Sequence, residues 1–375
     1  MRILVDAIPL NNIATGISRY LRCLYTALGR NHPKAEIAWF DGRGLRPDMP
    51  QGPADQASWS LMARIFWKLP PGLALMVRMA VHRRRQRAFF GLAQGFDVYH
   101  EAGFFPFAAP NGTRTVFTLH DVSIMRFPQH HPRERVLYYD RCLGPGLDRT
   151  DAFLTVSEFS AREIKDVLGI DRKRITVTPL AHDPQLFRPV SKPEIERVRT
   201  KHGLPERYFL FVGSGDPRKN TAVLPKALAR SGLDIPLVRA GWSGWDNASG
   251  PGQVIRLGHV PDKDLAGLYA GALAFVFPSI YEGFGLPVLE AMSCGCPVLC
   301  SDRASLPEVG GDAVLYCRDP ENPGAWVEPM LRVAKDRALR DDLSRKGLAR
   351  AREFSWNRTA DTTWKVLKGN NRCPT

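Results

Sequence analysis

The chain of 375 residues contains no run of about 18 uncharged apolar residues, the length a bilayer-spanning helix needs, so no such helix is expected. Its opening stretch, MRILVDAIPL, is short and carries Asp6, which does not fit a secretory leader. No low-complexity tract or internal repeat is visible. Zinc-finger spacings and an aromatic RNP motif are missing, so no nucleic-acid partner is expected. The Walker spacing and G-x-G-x-x-G are absent as well. The sequence is read as lacking an Asp-x-Asp metal motif. Acidic residues are in deficit: 38 Asp and Glu against 52 Lys and Arg leave a formal net charge of +14. That balance favours anionic partners such as phosphates or acidic lipid. The seven cysteines are an odd number and point to reduced thiols in a cytosol. Cys294, Cys296 and Cys300 form a partial metal pattern, but small apolar residues around a buried strand are the simpler reading.

What is present is a regular alternation. Short apolar runs at Arg2–Val5, Ile37–Phe40, Val98–His100, Thr115–Leu119, Phe153–Val156 and Thr176–Thr178 read as strands. Helical stretches such as Ile17–Leu28 and Glu134–Leu147 separate them. The second half repeats the pattern at Phe209–Gly213, Leu237–Ala240, Val254–Leu257, Ala274–Phe277, Val298–Ser301 and Ala313–Tyr316. Such alternation means parallel sheets covered by helices, and the length fits two α/β domains of the doubly wound kind. Pro184, Pro189 and Pro193 mark the linker. The expected division is 1–185, 186–355, and a helix in 356–375 that returns to the first domain. The ligand is expected in a central cleft at the carboxyl ends of the strands.

Segment 61–90 mixes apolar residues with cations only, around Arg78, His82, Arg83, Arg84, Arg85 and Arg87. This composition suits a surface that dips into an anionic bilayer; a core-facing helix with a basic outer face is the competing reading. Pro70 and Pro71 predict two helices with a joint.

Four segments follow predicted strands. In PLNNIATGISRYL, Gly16 permits φ > 0 and close approach of a ligand at a helix start, although an ordinary turn also explains it. In TVFTLHDVS, His120 sits at a strand's carboxyl end, placed to donate to a sugar hydroxyl, to move a proton, or only to satisfy its neighbours. In LFVGSGDPRKN, a turn at Gly213 leads to Arg218 and Lys219, cations beside backbone N–H groups as a pyrophosphate requires. The strongest is PSIYEGFGLPVLEAMSCGCPVLCSD. Glu282 precedes a glycine loop and Glu290 lies about one turn into the helix that follows. Two acids so placed accept hydroxyl hydrogen bonds from a sugar and a ribose. The N–H groups of Gly283, Phe284, Gly285 and Leu286 can hold an anion between them.

EGFGLPVLE resembles the E-x(7)-E signature of retaining glycosyltransferases of the GT-B fold, in particular glycosyltransferase family 4. TGISRY, TLHDVS, VSEFSAREI, GSGDPRKN and the late FSW resemble its other segments in order, across nearly the whole chain. The resemblance implies two Rossmann-like domains. It implies that Glu282 binds donor-sugar hydroxyls, that Glu290 binds the ribose, and that Arg218 and Lys219 neutralise the diphosphate. His120 would lie near the transferred sugar and Gly16 near phosphate and acceptor. Ser214 stands where many members have Arg, which shifts phosphate charge onto Arg218 and Lys219. Metal independence and no further cofactor are implied. FPQHHP and DPRKN look most like bacterial mannosyl- or rhamnosyl-type transferases of O-antigen and exopolysaccharide assembly. The expected donor is therefore GDP-mannose, with UDP-sugars open, and the acceptor a lipid-linked saccharide. The chain is expected in the cytoplasm, peripheral at the inner face of the cytoplasmic membrane. A GT-B epimerase or phosphorylase and a basic nucleic-acid-binding protein are the alternatives.

Overall fold

The structure is a computed structural model and describes residues 1–11, 16–52, 69–241 and 253–369. The chain forms two compact units, Met1–Pro179 with Trp356–Thr375, and Leu180–Ser355. The first division falls at Pro179, a few residues before the expected 185.

The N-terminal unit is built on a seven-stranded sheet. Its strands are β1 (Arg2–Asp6), β2 (Glu36–Phe40), β3 (Leu45–Arg46), β4 (Val98–Glu101), β5 (Arg114–Thr118), β6 (Ala152–Thr155) and β7 (Ile175–Val177). The spatial order is β3-β2-β1-β4-β5-β6-β7, and every pair is parallel except β2 with β3. β3 has no counterpart in the sequence reading. It is a two-residue edge strand held by Asp41, which accepts from the N–H groups of Arg43 and Gly44 and pairs with Arg46 at 2.8 Å. Strands β4, β5 and β6 are buried along nearly their whole length, polar His100, Glu101, Thr115, Thr118 and Thr155 included, as in parallel sheets covered on both faces.

The helix Trp356–Leu367 belongs to this unit and packs against the helix Gly16–Asn31. Thr359 Oγ1 donates to the Pro179 carbonyl at 2.6 Å, Trp364 stacks on His32 at 4.4 Å, and Trp356 tilts against Tyr20. The helix Pro71–Leu92 begins with Pro at its first turn, where a missing N–H costs nothing. Of the basic apolar segment, residues 61–68 and the expected first helix lie outside the described residues. The described helix buries Ala74 and Phe89, and Met79, Ala88 and Leu92 pack against the core, so it has a core-facing side as well as a basic outer one. Leu73, Met76, Val77, Val81 and Phe90 remain exposed.

The C-terminal unit carries a six-stranded parallel sheet of β8 (Phe209–Val212), β9 (Leu237–Ala240), β10 (Val254–Gly258), β11 (Ala274–Phe277), β12 (Val298–Ser301) and β13 (Leu315–Cys317). Its order is β10-β9-β8-β11-β12-β13. The order reverses between β8 and β11, which makes the ends of those two strands the switch point of a Rossmann-like sheet. Cys294, Cys296 and Cys300 are buried around β12, and burial pushes the Cys294 thiol up to about 12. They behave as small core residues.

Two helices of this unit, Lys192–His202 and Asp262–Gly271, lie close together because Gly267 leaves room: a Cβ there would meet Val198 Cγ2 at 2.6 Å. Between them Asp264 is fully buried and meets Arg197 at 3.0 Å, Lys201 at 2.5 Å and His202 at 3.2 Å. Burial alone would raise this carboxyl; the hydrogen bonds from Lys201, Arg197 and His202 outweigh it and hold Asp264 down to about 2. One Asp-x-Asp therefore does exist, Asp262–Asp264, against the reading that none is present. Its inner carboxylate is committed to these three side chains, and among the described residues no cluster suits a metal ion.

Asp264→Asn is expected to cost about 2 kcal/mol of stability at neutral pH, the free energy equivalent of that depression. The folded carboxyl titrates below its ordinary value. Its contribution is therefore complete above 3.8 and is lost as pH falls toward about 2. Urea unfolding of both chains as a function of pH checks this: the gap between them closes over that acid range and not above it.

Candidate active site

The loops that follow β8 and β11 contain the two strongest sequence motifs, and the sheet order brings them side by side. The first loop turns at Gly213, whose N–H donates to Ala240 O at 2.9 Å. Gly241, at the end of β9, has φ +123, and a Cβ there would lie 2.2 Å from the Gly213 carbonyl oxygen. Only glycine allows these two turns to touch. The sequence reading missed Gly241 because its requirement comes from a neighbouring strand.

Past the turn, Asp216 caps the short helical turn Pro217–Lys219 and grips Arg218. Arg218 gives its N–H to Asp216 Oδ1 at 3.0 Å, Nε to the same oxygen at 3.1 Å and Nη2 to Oδ2 at 2.7 Å. Burial pushes the Asp216 carboxyl up, but Arg218 and Lys219 prevail and leave it below its ordinary range. The aspartate thus fixes the guanidinium in one orientation.

The second loop is sewn to the first. Ile280 N–H donates to Arg218 O at 2.9 Å, and Ser279 Oγ donates to the same carbonyl at 3.1 Å. Lys219 Nζ meets Glu282 Oε1 at 2.5 Å and lies over the Phe277 ring at 5.1 Å. Asn220 closes the set by donating to Pro320 O at 2.7 Å. Ser305 Oγ, from beyond β12, donates to Glu282 O at 2.9 Å.

After Glu282 the chain passes Gly283 and enters the helix Leu286–Ser293 through Gly285, at φ +102. A Cβ on Gly285 would also meet Leu306 Cδ2 at 2.6 Å. Phe284 turns its ring inward against Phe354 at 5.7 Å, so it offers the site its backbone only. The N–H groups of Phe284, Gly285 and Leu286 meet no acceptor among the described residues. Three unsatisfied donors at a helix start, with the dipole behind them, are an arrangement that can hold an anion. Glu290 lies one turn on and is 3 % exposed; it accepts from Tyr269 OH at 3.3 Å.

Two predicted site residues belong to the N-terminal unit. His120 follows β5, is partly buried, and stands edge-on to Tyr20 at 4.8 Å. Its Nε2–H donates to Ala102 O at 3.2 Å, and burial lowers its basicity so that the ring is neutral. The remaining nitrogen, Nδ1, is then an acceptor, which corrects the expectation of a donor to a hydroxyl. Gly16 begins the helix Gly16–Asn31 with an ordinary negative φ and open space around it. Among the described residues nothing there requires glycine sterically, in keeping with the ordinary-turn reading of Gly16.

The same unit holds a feature the sequence did not show. Asp6 ends β1 and Glu101 ends β4, the adjacent strands at that sheet's own reversal point. Both carboxyls are buried. Glu101 accepts from Gly103 N at 2.6 Å, Phe104 N at 2.9 Å and Tyr99 OH at 3.0 Å. Burial, then the charge of Asp6, drives Glu101 well above its ordinary range; burial raises Asp6 too, and Arg85 opposes it. One proton held by the pair keeps it from carrying two buried charges. His100, fully buried between Tyr25 OH at 2.6 Å and Thr118 Oγ1 at 2.8 Å, is brought down to about 3 by burial and stays neutral.

The backbone strain at Gly285 is open to measurement. Gly285→Ala is expected to destabilise the fold by about 1–3 kcal/mol, because alanine resists that φ and strikes Leu306. Thermal melting of the variant checks this, with a loss below a few tenths of a kcal/mol counting against the account.

Comparison with known proteins places these segments. The family described as "Glycosyltransferase Family 4" matches residues 14–186, and "Glycosyl transferases group 1" matches residues 194–350. The chain is 36 % identical to the O-antigen chain mannosyltransferase B of Escherichia coli, over 98 % of this chain and 100 % of that protein. Among solved structures, sucrose-phosphate synthase of Thermosynechococcus elongatus superposes with a TM-score of 0.72 at 20 % identity, covering 98 % of both chains. The E. coli trehalose-6-phosphate structure bound with UDP-2-fluoro glucose gives 0.68 at 14 % identity, over 98 % of this chain and 99 % of that one. The two structures bear on the fold alone; the full-length likeness to the mannosyltransferase bears on the family. With two Rossmann-like sheets, a glycine-gated anion site and E-x(7)-E in register across its length, the chain belongs to glycosyltransferase family 4 of the GT-B fold.

Proposed function

We propose that this glycosyltransferase moves mannose from GDP-mannose, with retention, to a lipid-linked saccharide in bacterial surface polysaccharide assembly. The full-length likeness to an O-antigen mannosyltransferase supports the sugar and the setting. The observation that carries the chemistry is the Lys219–Glu282 pair beside the free N–H groups of residues 284–286.

The two cations are engaged with carboxylates, Arg218 with Asp216 and Lys219 with Glu282. Asp216 and Glu282 cancel Arg218 and Lys219, so this quartet has no net charge. A diphosphate therefore gains attraction by exchange. Lys219 turns from Glu282 to a phosphate oxygen, and Glu282 takes sugar hydroxyls in place of the ammonium. Arg218 stays oriented by Asp216 and presents its remaining N–H groups. The N–H groups of Phe284, Gly285 and Leu286 hold the opposite side of the anion. Glu290 exchanges Tyr269 for ribose hydroxyls. Glu282 positions and does not attack; the departing phosphate takes the acceptor proton on the face it leaves, which preserves the anomeric configuration. His120 of the N-terminal unit, neutral and with Nδ1 as acceptor, is suited to accept from a hydroxyl. No metal is required, and a chelator leaves the rate unchanged.

No described helix is long and apolar enough to cross a membrane. We place the working chain in the cytoplasm, peripheral at the inner face of the membrane, where the exposed apolar side of the helix Pro71–Leu92 and its arginines face anionic lipid. A UDP-sugar donor is the second reading, and it is decided by the same assay as the first.

Three outcomes test this reading. In a thermal-shift series, GDP-mannose is expected to raise the melting temperature more than UDP- or dTDP-sugars, because a ligand stabilises the state that binds it. Lys219→Met is expected to lower kcat by about 100-fold or more, the order seen when one preorganised donor to a leaving anion is lost. Glu282→Gln is expected to be slow with no covalent sugar adduct by mass spectrometry; an adduct, or an inverted product, would sink the front-face account.

A further inference from the structure

The helices Pro71–Leu92 and Arg133–Asp148 of the N-terminal unit pack with a cavity of about 610 Å³ at one end. The packing is firm. Gln86 is clamped to Ala108 by both its amide groups, at 3.0 Å and 2.7 Å. His82 stacks on Phe107 at 5.4 Å and meets Tyr138 OH at 3.2 Å. The cavity is lined by apolar Met79, Pro106, Cys142 and Pro145, and by Arg83, Arg87, Arg141 and Arg149.

The charge of this cavity is one-sided. Among the described residues no Asp or Glu lines it. None of its four arginines forms an ion pair among the described residues. His82 does not add to the total, since burial and then Arg85 and Arg83 lower its basicity. Arg78, one turn before, is by contrast paired with Glu134 at 3.3 Å. Four unpaired guanidiniums around an apolar floor repel one another until a compact, multiply charged anion with an apolar tail enters. Beside the cavity, on the same helix, Leu73, Met76, Val77 and Val81 stand exposed at helical spacing.

We propose that this cavity holds the phosphate head of a membrane lipid, a phosphomonoester or diphosphate, while the Leu73–Val81 face enters the acyl region. Arg141 and Arg149 clamp the head from the second helix. The inference deepens the membrane reading given above and rests on it. It adds a specific head-group site to what is otherwise diffuse attraction.

The test uses the full chain and sedimentation with three kinds of vesicle. One is phosphatidylcholine alone; the others add phosphatidic acid or phosphatidylglycerol at matched surface charge. The expected result is a preference of at least tenfold for phosphatidic acid. The double variant R141Q/R149Q, whose side chains are exposed and whose fold is checked by its melting temperature, is expected to abolish that preference. R84Q, exposed on the helix Pro71–Leu92 but outside the cavity lining, is expected to weaken both anionic mixtures by about fivefold per charge and keep the preference. Binding that follows net charge alone, with all variants alike, overturns the site and leaves the membrane reading standing. Absence of binding to every vesicle overturns both. If soluble glycerol 1-phosphate stabilises the wild type through Arg141 and Arg149 without any vesicle, the lipid origin of the phosphate is overturned.

Discussion

The donor half of this transferase depends on one contact: the carbonyl of Arg218, which accepts from both Ile280 N–H and Ser279 Oγ. It joins the loop after β8 to the loop after β11. Without it, the two ends of the sheet's reversal point would be independent loops, each free to sample other conformations. With it, Arg218, Lys219, Glu282 and the helix start at Gly285 move as one piece. The glycines serve the same end. Gly241 lets its turn touch that of Gly213, and Gly285 brings the chain against Leu306 before the helix begins. Close backbone approach, paid for with glycine, is what turns two surface loops into a preorganised anion site.

Charge in these loops is balanced, with Arg218 facing Asp216 and Lys219 facing Glu282. On the proposed reading, a diphosphate alone would leave Glu282 without a partner, and a sugar alone would leave Lys219 without one. The joined molecule would satisfy both, which on that reading favours the intact donor over its parts.

The sequence made much of this legible. The twelve longer strands appear where apolar runs placed them, and both loops with charged chemistry follow the strands expected. Periodicity and glycine are local signals, so they survive in a single sequence. What escaped depends on contacts across the sheet. Gly241 matters only because β9 lies beside β8. Asp6 and Glu101 form a carboxyl pair only because β1 lies beside β4. The Asp-x-Asp at Asp262–Asp264 went unread, and only the structure shows Asp264 taken up by Arg197, Lys201 and His202 of another helix. His120 was seen, but its tautomer is set by Ala102, which sequence spacing does not reveal. β3 is two residues long and its signal is a single aspartate-led turn.

The helix Trp356–Leu367 has a consequence for the order in which the molecule assembles. It covers the helix Gly16–Asn31 and bonds to Pro179, a residue made 180 positions earlier. On the ribosome, domains usually fold as they emerge, the first before the second. Here the N-terminal unit lacks its last helix, which packs on Tyr20 and His32, until all of Leu180–Ser355 has been made. The C-terminal unit therefore has all its residues before the N-terminal one does, the reverse of their order in the chain.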